Sequence, residues 1–167
     1  MSEPDHWSSP PVKEGDILAG KYKVEKVLGV GGMGVVVAAT HVDLRQRVAL
    51  KFLLPQAAMA SDLVARFLRE GRNAARLRSD HVAKVMDVGR LEDDCPYLVM
   101  EYLDGQDLGA EIKEAQGPMD VERVATYVLH ACKGLADAHA LGIVHRDLKP
   151  GNLFVTKGSD GEPLLKV

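Results

Sequence analysis

The chain has 167 residues, of which 46% are hydrophobic and 27% are charged, and this composition excludes a disordered chain and one dominated by membrane spans. The formal net charge is -3 at pH 7, so a general affinity for nucleic acid or for an anionic membrane is not expected. The two cysteines, Cys95 and Cys132, fit neither a metal-ligand spacing nor a disulfide framework, which is typical of a reducing compartment and predicts a cytoplasmic protein.

Residues 1–15 are rich in serine, proline and charge and lack hydrophobic periodicity, so they are predicted to form a flexible tail. They contain neither the basic region nor the apolar region of a signal peptide. No run of apolar residues approaches the length of a membrane-spanning helix. We therefore expect the fold to begin near Asp16, and we expect no membrane segment in this chain.

The first half of the folded sequence is predicted to be a β-sheet with one helix. The segments KYKVEKVL, VVVAATHV and RVALKFLL are rich in branched residues and are separated by turn-like breaks, which predicts three strands between Tyr22 and Leu54. A helix capped by Ser61 or Asp62 follows, and its glycine, Gly71, costs about 1 kcal/mol relative to alanine. The apolar residues that give this helix its period are Val64, Phe67, Leu68, Ala74 and Leu77. Two further strands are predicted in VAKVMDVG and PYLVMEYL.

The second half is predicted to be mainly helical. DLGAEIKEAQ has a helical composition and ends at a Gly-Pro stop signal, and residues 121–141 form the clearest helix because their apolar side chains lie on one stripe. That stripe comprises Val121, Val124, Val128, Cys132 and Leu135. The segments LFVT and LLKV flank KGSDGEP, which favours a hairpin. After the tail, the predicted units are therefore a sheet unit at residues 16–100 and a helical unit at residues 101–167.

LGVGGMGVV contains a G-x-G-x-x-G arrangement formed by Gly29, Gly31 and Gly34. Glycines let backbone N–H groups approach phosphate oxygens without a Cβ in the way, although this motif alone is weak evidence. A dinucleotide-binding turn requires a helix after the glycines, whereas VVVAAT predicts a strand. A hairpin that covers phosphates therefore fits better than a dinucleotide-binding turn, and a glycine-rich turn without a ligand stays open.

VALK ends a predicted strand with Lys51, whose neighbours are apolar. A lysine at this place can hold nucleotide phosphates as a point charge, or it can be an ordinary solvated lysine. Glu70, on the predicted helix, can pair with Lys51 and fix its direction, or it can be one more charge on a solvated face. The arginines of this region are interpreted as a solvated face rather than a phosphate or nucleic-acid site. They are Arg66, Arg69, Arg72, Arg76 and Arg78.

The segment HRDLKPGN places Asp147, Lys149 and Asn152 on one loop, which Pro150 and Gly151 keep from forming an ordinary helix. An aspartate here can accept or orient a hydroxyl proton, a lysine can balance the charge on a transferring phosphoryl group, and an asparagine oxygen can ligate Mg²⁺. Phosphoryl transfer depends on positioning and electrostatic stabilisation. These residue types supply both, and an acidic turn without a function is the competing interpretation.

In order and spacing, GVGGMGVV, VALK, the helix glutamate, PYLVMEYL and HRDLKPGN resemble the motifs of protein kinases. The resemblance covers about Asp16 to Val167, and LGVGGMGVV together with HRDLKPGN is most similar to the bacterial eukaryotic-like (Hanks-type) serine/threonine kinases. It implies an α+β, protein-kinase-like fold, with an antiparallel β N-lobe that carries one helix and an incomplete, mainly helical C-lobe. It also implies transfer of the γ-phosphoryl group of ATP to protein Ser or Thr hydroxyls, with Mg²⁺ as the metal.

The resemblance also implies roles for individual residues. The catalytic residues would be Lys51, Glu70, Asp147, Lys149 and Asn152, the last of these also as the metal ligand. The residues implied to contact ATP are Leu28, Gly29, Val30, Gly31, Gly32, Met33, Gly34, Val35, Val36, Ala49, Lys51, Met100, Glu101, Leu103, Asp107 and Leu153. Those expected to sandwich adenine are Leu28, Val36, Ala49 and Leu153. The backbone of Glu101 and Leu103 is expected to bind the adenine edge, and Asp107 the ribose.

The family pattern continues from a strand like LLKV, after one more residue, into Asp-Phe-Gly, whose aspartate is the principal Mg²⁺ ligand beside Asn152. Since the sequence ends at Val167, we expect it to be the N-terminal portion of a kinase domain, with apolar surface exposed on the helix at residues 121–141. Expected partners are protein substrates with Ser or Thr acceptors, and a homodimer or self-phosphorylation is a further option. One rival hypothesis is a catalytically silent module that binds nucleotide or a protein. Another, a nucleic-acid binder, is disfavoured by the net charge of -3.

Overall fold

The computed structural model of the protein describes residues 12–31, 34–91, 93–115 and 117–167. The described residues fall into two compact units. Unit 1 contains the described residues up to Arg72 together with Val85–Tyr102, and unit 2 contains Asn73–Lys84 and Leu103–Val167.

Unit 1 is built on a sheet. Its strands are β1 (Ile17–Leu18), β2 (Tyr22–Val30), β3 (Gly34–His41), β4 (Gln46–Leu53), β5 (Val85–Arg90) and β6 (Pro96–Glu101). Within the described residues they form one six-stranded antiparallel sheet, in the order β1-β2-β3-β4-β6-β5. The predicted strands correspond to β2 to β6, whereas β1 is too short for a sequence pattern to indicate.

One face of this sheet carries the core of unit 1. Val35 and Val37 of β3 and Leu50 and Phe52 of β4 are buried in a single cluster. Successive side chains of a strand point to opposite faces of the sheet. The residues between these four therefore point to the other face, and Lys51 of β4 is one of them.

Two helices belong to unit 1, α1 (Pro55–Ala58) and α2 (Ser61–Ala74). The second contains the predicted helical segment, although Leu77 lies beyond its end. Gly71 is buried in α2, and a Cβ at this position would overlap the side chain of Leu98 in β6. Gly71 lowers the intrinsic stability of the helix, but because it has no Cβ it allows α2 to lie close to the sheet.

Unit 2 combines helices with a small sheet. Its elements are α3 (Leu108–Glu114), α4 (Val121–Ala140), β7 (Gly105–Asp107), β8 (Phe154–Lys157) and β9 (Pro163–Lys166). In the part of the chain that the structure describes, the strands form a three-stranded antiparallel sheet in the order β7-β8-β9. The hairpin of β8 and β9 confirms the one predicted from LFVT and LLKV.

The buried residues of α4 lie outside the apolar stripe that the sequence indicated. Tyr127 and Ala131 form a core with Leu165 of β9, and the buried residues of the helix are Tyr127, Ala131, Gly134 and Ala138. On the predicted stripe, the exposed residues are Val121, Val124, Val128 and Cys132, and Leu135 is half-buried. The predicted helix is therefore confirmed, and its apolar stripe is largely exposed because a different face of the helix packs against β9. The exposed valines are the apolar surface that the sequence led us to expect.

The segment Asn73–Lys84 belongs to unit 2, although the sequence placed it in the N-terminal unit. Asp137 of α4 holds this segment, since its Oδ2 accepts hydrogen bonds from the backbone N–H groups of Arg78 at 2.7 Å and Ser79 at 2.9 Å. Val167 also exchanges backbone hydrogen bonds with the segment. Hydrogen bonds between residues distant in sequence therefore join this segment to α4 and to Val167.

The packed structure extends back to Val12, before the predicted start of the fold at Asp16. Val12 is only 5% exposed and packs in the core of unit 1, and the Gly15 N–H donates to the Val24 carbonyl at 2.9 Å. The rest of the predicted tail, residues 1–11, lies outside the described residues. Within the described residues, no helix combines the length and the apolar character needed to cross a membrane.

Candidate active site

The loop from His145 to Asn152 lies between α4 and β8 and is held by its own backbone. A single 3₁₀ turn spans Pro150–Asn152, and the Asn152 N–H donates to the Lys149 carbonyl at 2.9 Å. Arg146 has a φ of 64°, in the left-handed region that a non-glycine residue rarely occupies. A proline, a turn hydrogen bond and one strained residue therefore define the shape of this loop.

Lys149 and Asn152 both donate a hydrogen bond to the same carboxylate oxygen of Asp147. Asp147 Oδ2 accepts a hydrogen bond from Lys149 Nζ at 2.8 Å and another from Asn152 Nδ2 at 2.9 Å. Asn152 Nδ2 also donates to the backbone carbonyl of Asp147 at 2.7 Å, which fixes the amide relative to the loop. The structure therefore brings together the three residues of this loop for which the sequence predicted a chemical role.

These contacts favour the ionised form of Asp147. The hydrogen bond from Lys149, followed by that from Asn152, lowers the pKa of Asp147 below its ordinary value of 3.8. The side chain of Asp147 is 64% exposed and that of Lys149 is 58% exposed, so water screens the pair. An ionised and accessible carboxylate of this kind can accept a hydrogen bond, and then a proton, from a hydroxyl group.

Asn152 is suited to contribute one oxygen ligand to a metal ion. Its Nδ2 is committed to Asp147, so the side-chain carbonyl oxygen is the end that can face a cation. Mg²⁺ is commonly bound by one or two protein oxygens together with waters and phosphate oxygens. Among the described residues, no group of three or more His, Cys, Asp or Glu side chains could hold a metal ion. A single amide oxygen of this kind fits a Mg²⁺ ion whose other ligands are phosphate oxygens and waters.

The glycine-rich segment of unit 1 lies in a hairpin. β2 and β3 pair on either side of it, and the Gly31 N–H donates to the Gly34 carbonyl at 2.8 Å. Packing requires glycine at position 34, because a Cβ there would lie 2.6 Å from the carbonyl oxygen of Phe52. A strand follows the glycines, so the predicted hairpin is confirmed and the dinucleotide-binding turn is excluded. Gly32 and Met33, which the sequence predicts to contact ATP, lie outside the described residues.

Several predicted ATP contacts share one face of the unit 1 sheet. Val36 pairs with Lys51, and Ala49 pairs with Met100. Because paired residues and alternate residues of a strand share a face, Val36, Ala49 and Lys51 lie together opposite the core. We call this face the Lys51 face. Val35, in contrast, is completely buried in the core, so only its backbone could contact a nucleotide.

The other predicted ATP contacts of unit 1 lie at strand ends. Leu28, Gly29 and Val30 are exposed in the last part of β2, and Glu101 ends β6 and is half-buried. These positions leave the end of β2 accessible to a ligand.

In unit 2, the predicted ATP contacts have structural roles as well. Leu153 packs against the core of the unit, and its carbonyl accepts a hydrogen bond from the Leu108 N–H at 2.7 Å. Asp107 caps α3, because its Oδ1 accepts from the Ala110 N–H at 2.9 Å. Leu103 is half-buried. A ribose contact by Asp107 would therefore use a carboxylate that the helix cap already orients.

Glu70 pairs within its own helix rather than with Lys51. Arg66 Nε donates to Glu70 Oε1 at 2.9 Å, with the spacing of neighbours one helical turn apart. The described part of the chain records no ion pair between Glu70 and Lys51. Of the two interpretations that the sequence left open for Glu70, the structure therefore shows an exposed charge that is paired on its own helix. The spacing of Arg66 and Glu70 could have indicated this contact, but the arginine-rich pattern favoured a solvated face for Arg66.

Comparisons with known proteins give a consistent result. Residues 22–167 match the protein kinase domain family. The serine/threonine-protein kinase pkn3 of Myxococcus xanthus is 39% identical over 153 residues, which cover 92% of this chain and 28% of that protein. The serine/threonine-protein kinase PknB of Mycobacterium tuberculosis is 37% identical over 142 residues, which cover 83% of this chain and 22% of that protein.

A solved structure supports the same relationship. The crystal structure of the Mycobacterium tuberculosis PknI kinase domain matches this chain with a TM-score of 0.74 and 31% sequence identity, over 93% of this chain and 61% of that one. The chain spans about a quarter of the length of the two curated relatives named above. Strands β2 to β6 of unit 1, the helices of unit 2 and the HRDLKPGN loop all lie within the matched residues. On this evidence, the chain belongs to the protein kinase domain family and has a protein-kinase-like fold.

Proposed function

We propose that this chain is the part of a serine/threonine protein kinase that binds ATP and carries the loop for phosphoryl transfer. The observation that carries the proposal is the convergence of Lys149 Nζ and Asn152 Nδ2 on Asp147 Oδ2, at 2.8 and 2.9 Å. An ionised carboxylate, a cation and an amide oxygen in one loop are the groups that a phosphoryl transfer needs. The names of the relatives, which are serine/threonine-protein kinases, support the same assignment.

In the proposed reaction, the hydroxyl oxygen of a protein Ser or Thr forms a bond to the γ-phosphorus of ATP. The bond between that phosphorus and the oxygen bridging to the β-phosphate breaks, and ADP leaves. The hydroxyl proton passes to the carboxylate of Asp147, which orients the hydroxyl before transfer. Lys149 lies within hydrogen-bonding distance of the same carboxylate, so its charge would stabilise the phosphoryl group during transfer.

The proposed ATP contacts begin on the Lys51 face. Lys51 would hold the phosphates under the glycine hairpin, and the apolar side chains of Val36 and Ala49 would cover one side of the adenine ring. The backbone of Glu101 and Leu103 would bind the adenine edge. Support for this assignment comes from the shared position of Val36, Ala49 and Lys51 on the Lys51 face.

Mg²⁺ would accompany the ATP. When bound, it neutralises negative charge on the β- and γ-phosphates. Asn152 would hold it through the side-chain carbonyl oxygen, while the amide nitrogen keeps its hydrogen bonds to Asp147.

The proposed partners are proteins that offer a Ser or Thr hydroxyl, and a second copy of the same protein is one such acceptor. A cytoplasmic location is part of the proposal. Its support is the pair of free cysteines, Cys95 and Cys132, which is typical of a reducing compartment.

The test uses the longest natural protein that contains this sequence, with Asp147→Asn and the matched control Asp43→Asn. Asp43 is exposed in the turn between β3 and β4. Transfer of labelled phosphate from ATP to a Ser- and Thr-containing protein is measured together with ATP affinity. We expect Asp147→Asn to lower kcat by about 10²- to 10⁴-fold without changing ATP affinity, and Asp43→Asn to leave both unchanged. Transfer that is insensitive to Asp147→Asn would refute the role of Asp147. Saturable ATP binding without any transfer would instead support the silent nucleotide-binding module.

A further inference from the structure

Arg47 links strand β2 to the residue that follows β6. Its Nε donates to Glu25 Oε2 at 2.6 Å. On the other side, its guanidinium carbon lies 4.1 Å from the centroid of the Tyr102 ring, within the distance of a cation–π contact. Glu25, Arg47 and Tyr102 all belong to unit 1.

The sheet itself builds this arrangement. Thr40 of β3 pairs with Arg47 of β4, and the register of β2 shifts between Val24 and Lys26, which makes Glu25 a bulge residue. A bulge redirects a side chain, and here Thr40 Oγ1 donates a short hydrogen bond to Glu25 Oε1. We call Glu25, Thr40, Arg47 and Tyr102 the Arg47 row.

The Arg47 row lies on the nucleotide side of the sheet in the proposed function. Arg47, Ala49 and Lys51 occupy alternate positions of β4, so they share the Lys51 face. Tyr102 lies at the other end of the row. It follows Glu101, the last residue of β6, which pairs with Val48 of β4. Tyr102 therefore separates the two residues whose backbone is proposed to bind the adenine edge.

The charges of the row support one another. The hydrogen bond from Thr40 is the largest cause that lowers the pKa of Glu25, and the hydrogen bond and charge of Arg47 lower it further. Glu25 therefore stays ionised and can orient the guanidinium. The side chain of Glu25 is 30% exposed and that of Arg47 is 45% exposed, so the row lies at the rim of the sheet and not in its core.

We propose that Arg47 is a positioning residue for adenine binding, because it holds the Tyr102 ring and thereby fixes the backbone on either side of it. This inference depends on the proposed function, in which the backbone of Glu101 and Leu103 binds the adenine edge. A segment that is already ordered loses less conformational entropy when it binds a ligand. Arg47 contributes to base binding in this way without touching the nucleotide.

The experiment measures the affinity of the longest natural protein that contains this sequence for ATP and for adenosine, by calorimetry. The variants are Arg47→Met, Tyr102→Leu and the double variant, with Tyr102→Phe as the matched control that keeps the ring. We expect each single variant to weaken both ligands by about two- to fivefold, the range that an exposed cation–π contact supports. The double variant should be no weaker than the single ones, because both remove the same contact. Tyr102→Phe should bind like the wild type.

Kinetics and thermal unfolding provide the second readout. A positioning role predicts a higher KM for ATP at unchanged kcat, since base binding is equal in the ground state and the transition state. Variants that melt at a lower temperature but bind adenosine like the wild type would overturn the inference and leave Arg47 a stabilising residue only. Weaker ATP binding with unchanged adenosine binding would also overturn it, because Arg47 would then act through its charge on the phosphates. A wild-type protein that does not bind ATP would refute the proposed function itself.

Discussion

Arg66 and Glu70 form an ion pair along α2, with Arg66 Nε 2.9 Å from Glu70 Oε1. Both side chains are 57% exposed, so water weakens the pair and either side chain can turn away from it. Phosphate positioning in the kinase family uses an ion pair between the lysine equivalent to Lys51 and the helix glutamate. Arg66 is therefore a competitor for the carboxylate that the proposed ATP site uses.

We predict that Arg66→Gln raises kcat/KM for phosphate transfer by about twofold, because ion pairs between residues one turn apart on a helix are weak. Removing the competitor leaves Glu70 free to pair with Lys51. Steady-state kinetics of the longest natural protein that contains this sequence would measure the effect.

The matched control for this prediction is Arg69→Gln, which removes the same charge from an exposed position of the same helix. It should leave kcat/KM unchanged. Glu70→Gln should lower kcat/KM by about tenfold or more, because Lys51 then has no partner in the active arrangement. If Arg66→Gln lowers activity as strongly as Glu70→Gln does, the competition between Arg66 and Lys51 is refuted.

The contact between Lys149 and Asp147 leads to a prediction about pH. The folded-state pKa of Asp147 lies below its ordinary value of 3.8, chiefly through Lys149. A depressed pKa stabilises the folded protein above the ordinary value, and this stabilisation is lost as the pH falls through the lowered pKa. Lys149→Met should therefore raise the pKa of Asp147 toward 3.8, which titration of its carboxyl carbon by NMR would detect. Lys157→Met, at an exposed position of β8, should not move it; equal shifts in both variants would contradict the contact.

The sequence was sufficient to predict the elements whose signal is local. The five longer strands of unit 1 and helix α4 follow from branched residues and helical spacing, and the glycine hairpin follows from the strand after it. The loop of Asp147 was also predictable, because its residues lie within a few positions of each other. Short-range patterns of this kind do not depend on the rest of the fold.

Features that arise from contacts between distant segments were not predictable. The valines of α4 share a helical stripe, yet Tyr127 and Ala131 are buried instead because Leu165 of β9 packs on their side. The position of Glu25 depends on a bulge in the pairing of β2 with β3. Glu70 pairs with Arg66 in the structure. Which cation a carboxylate pairs with depends on side-chain conformation, which the order of residues does not show.

The stacked histidines of unit 2 give a second dependence on pH. The rings of His81 and His130 lie 4.3 Å apart with an interplanar angle of 28°. His130 Nδ1 accepts a hydrogen bond from the Leu165 N–H at 3.3 Å, which requires that nitrogen to be unprotonated. Burial first, then the charges of His81 and Lys133, lowers the pKa of His130 from its ordinary value of 6.5.

A lowered histidine pKa means that the unfolded chain binds a proton at a pH where the folded chain does not. We therefore predict that the free energy of unfolding falls as the pH drops below 6.5, until the lowered folded-state pKa is passed. His130→Gln should flatten this slope in urea unfolding measured between pH 5 and pH 8, a range that brackets an ordinary histidine. His139→Gln, which removes an exposed histidine of α4, is the control. A slope that persists in His130→Gln and vanishes in His139→Gln would contradict the assignment.

Gly134 provides a prediction whose sign is opposite to helix propensity. Within a helix, alanine is more stable than glycine by about 1 kcal/mol, but Gly134 is buried in α4 and a Cβ there would lie 2.5 Å from the backbone oxygen of His81. That oxygen also accepts a hydrogen bond from the Val167 N–H at 2.9 Å, so it cannot move without loss. Overpacking costs about 1–3 kcal/mol, and Gly134→Ala should therefore lower the free energy of unfolding by about 1 kcal/mol, as measured by urea denaturation. Gly117→Ala, where a Cβ would meet no atom within 4 Å, should change it by less than about 0.5 kcal/mol. If Gly134→Ala stabilised the protein instead, α4 and the segment of His81 could not pack as closely as the structure has them.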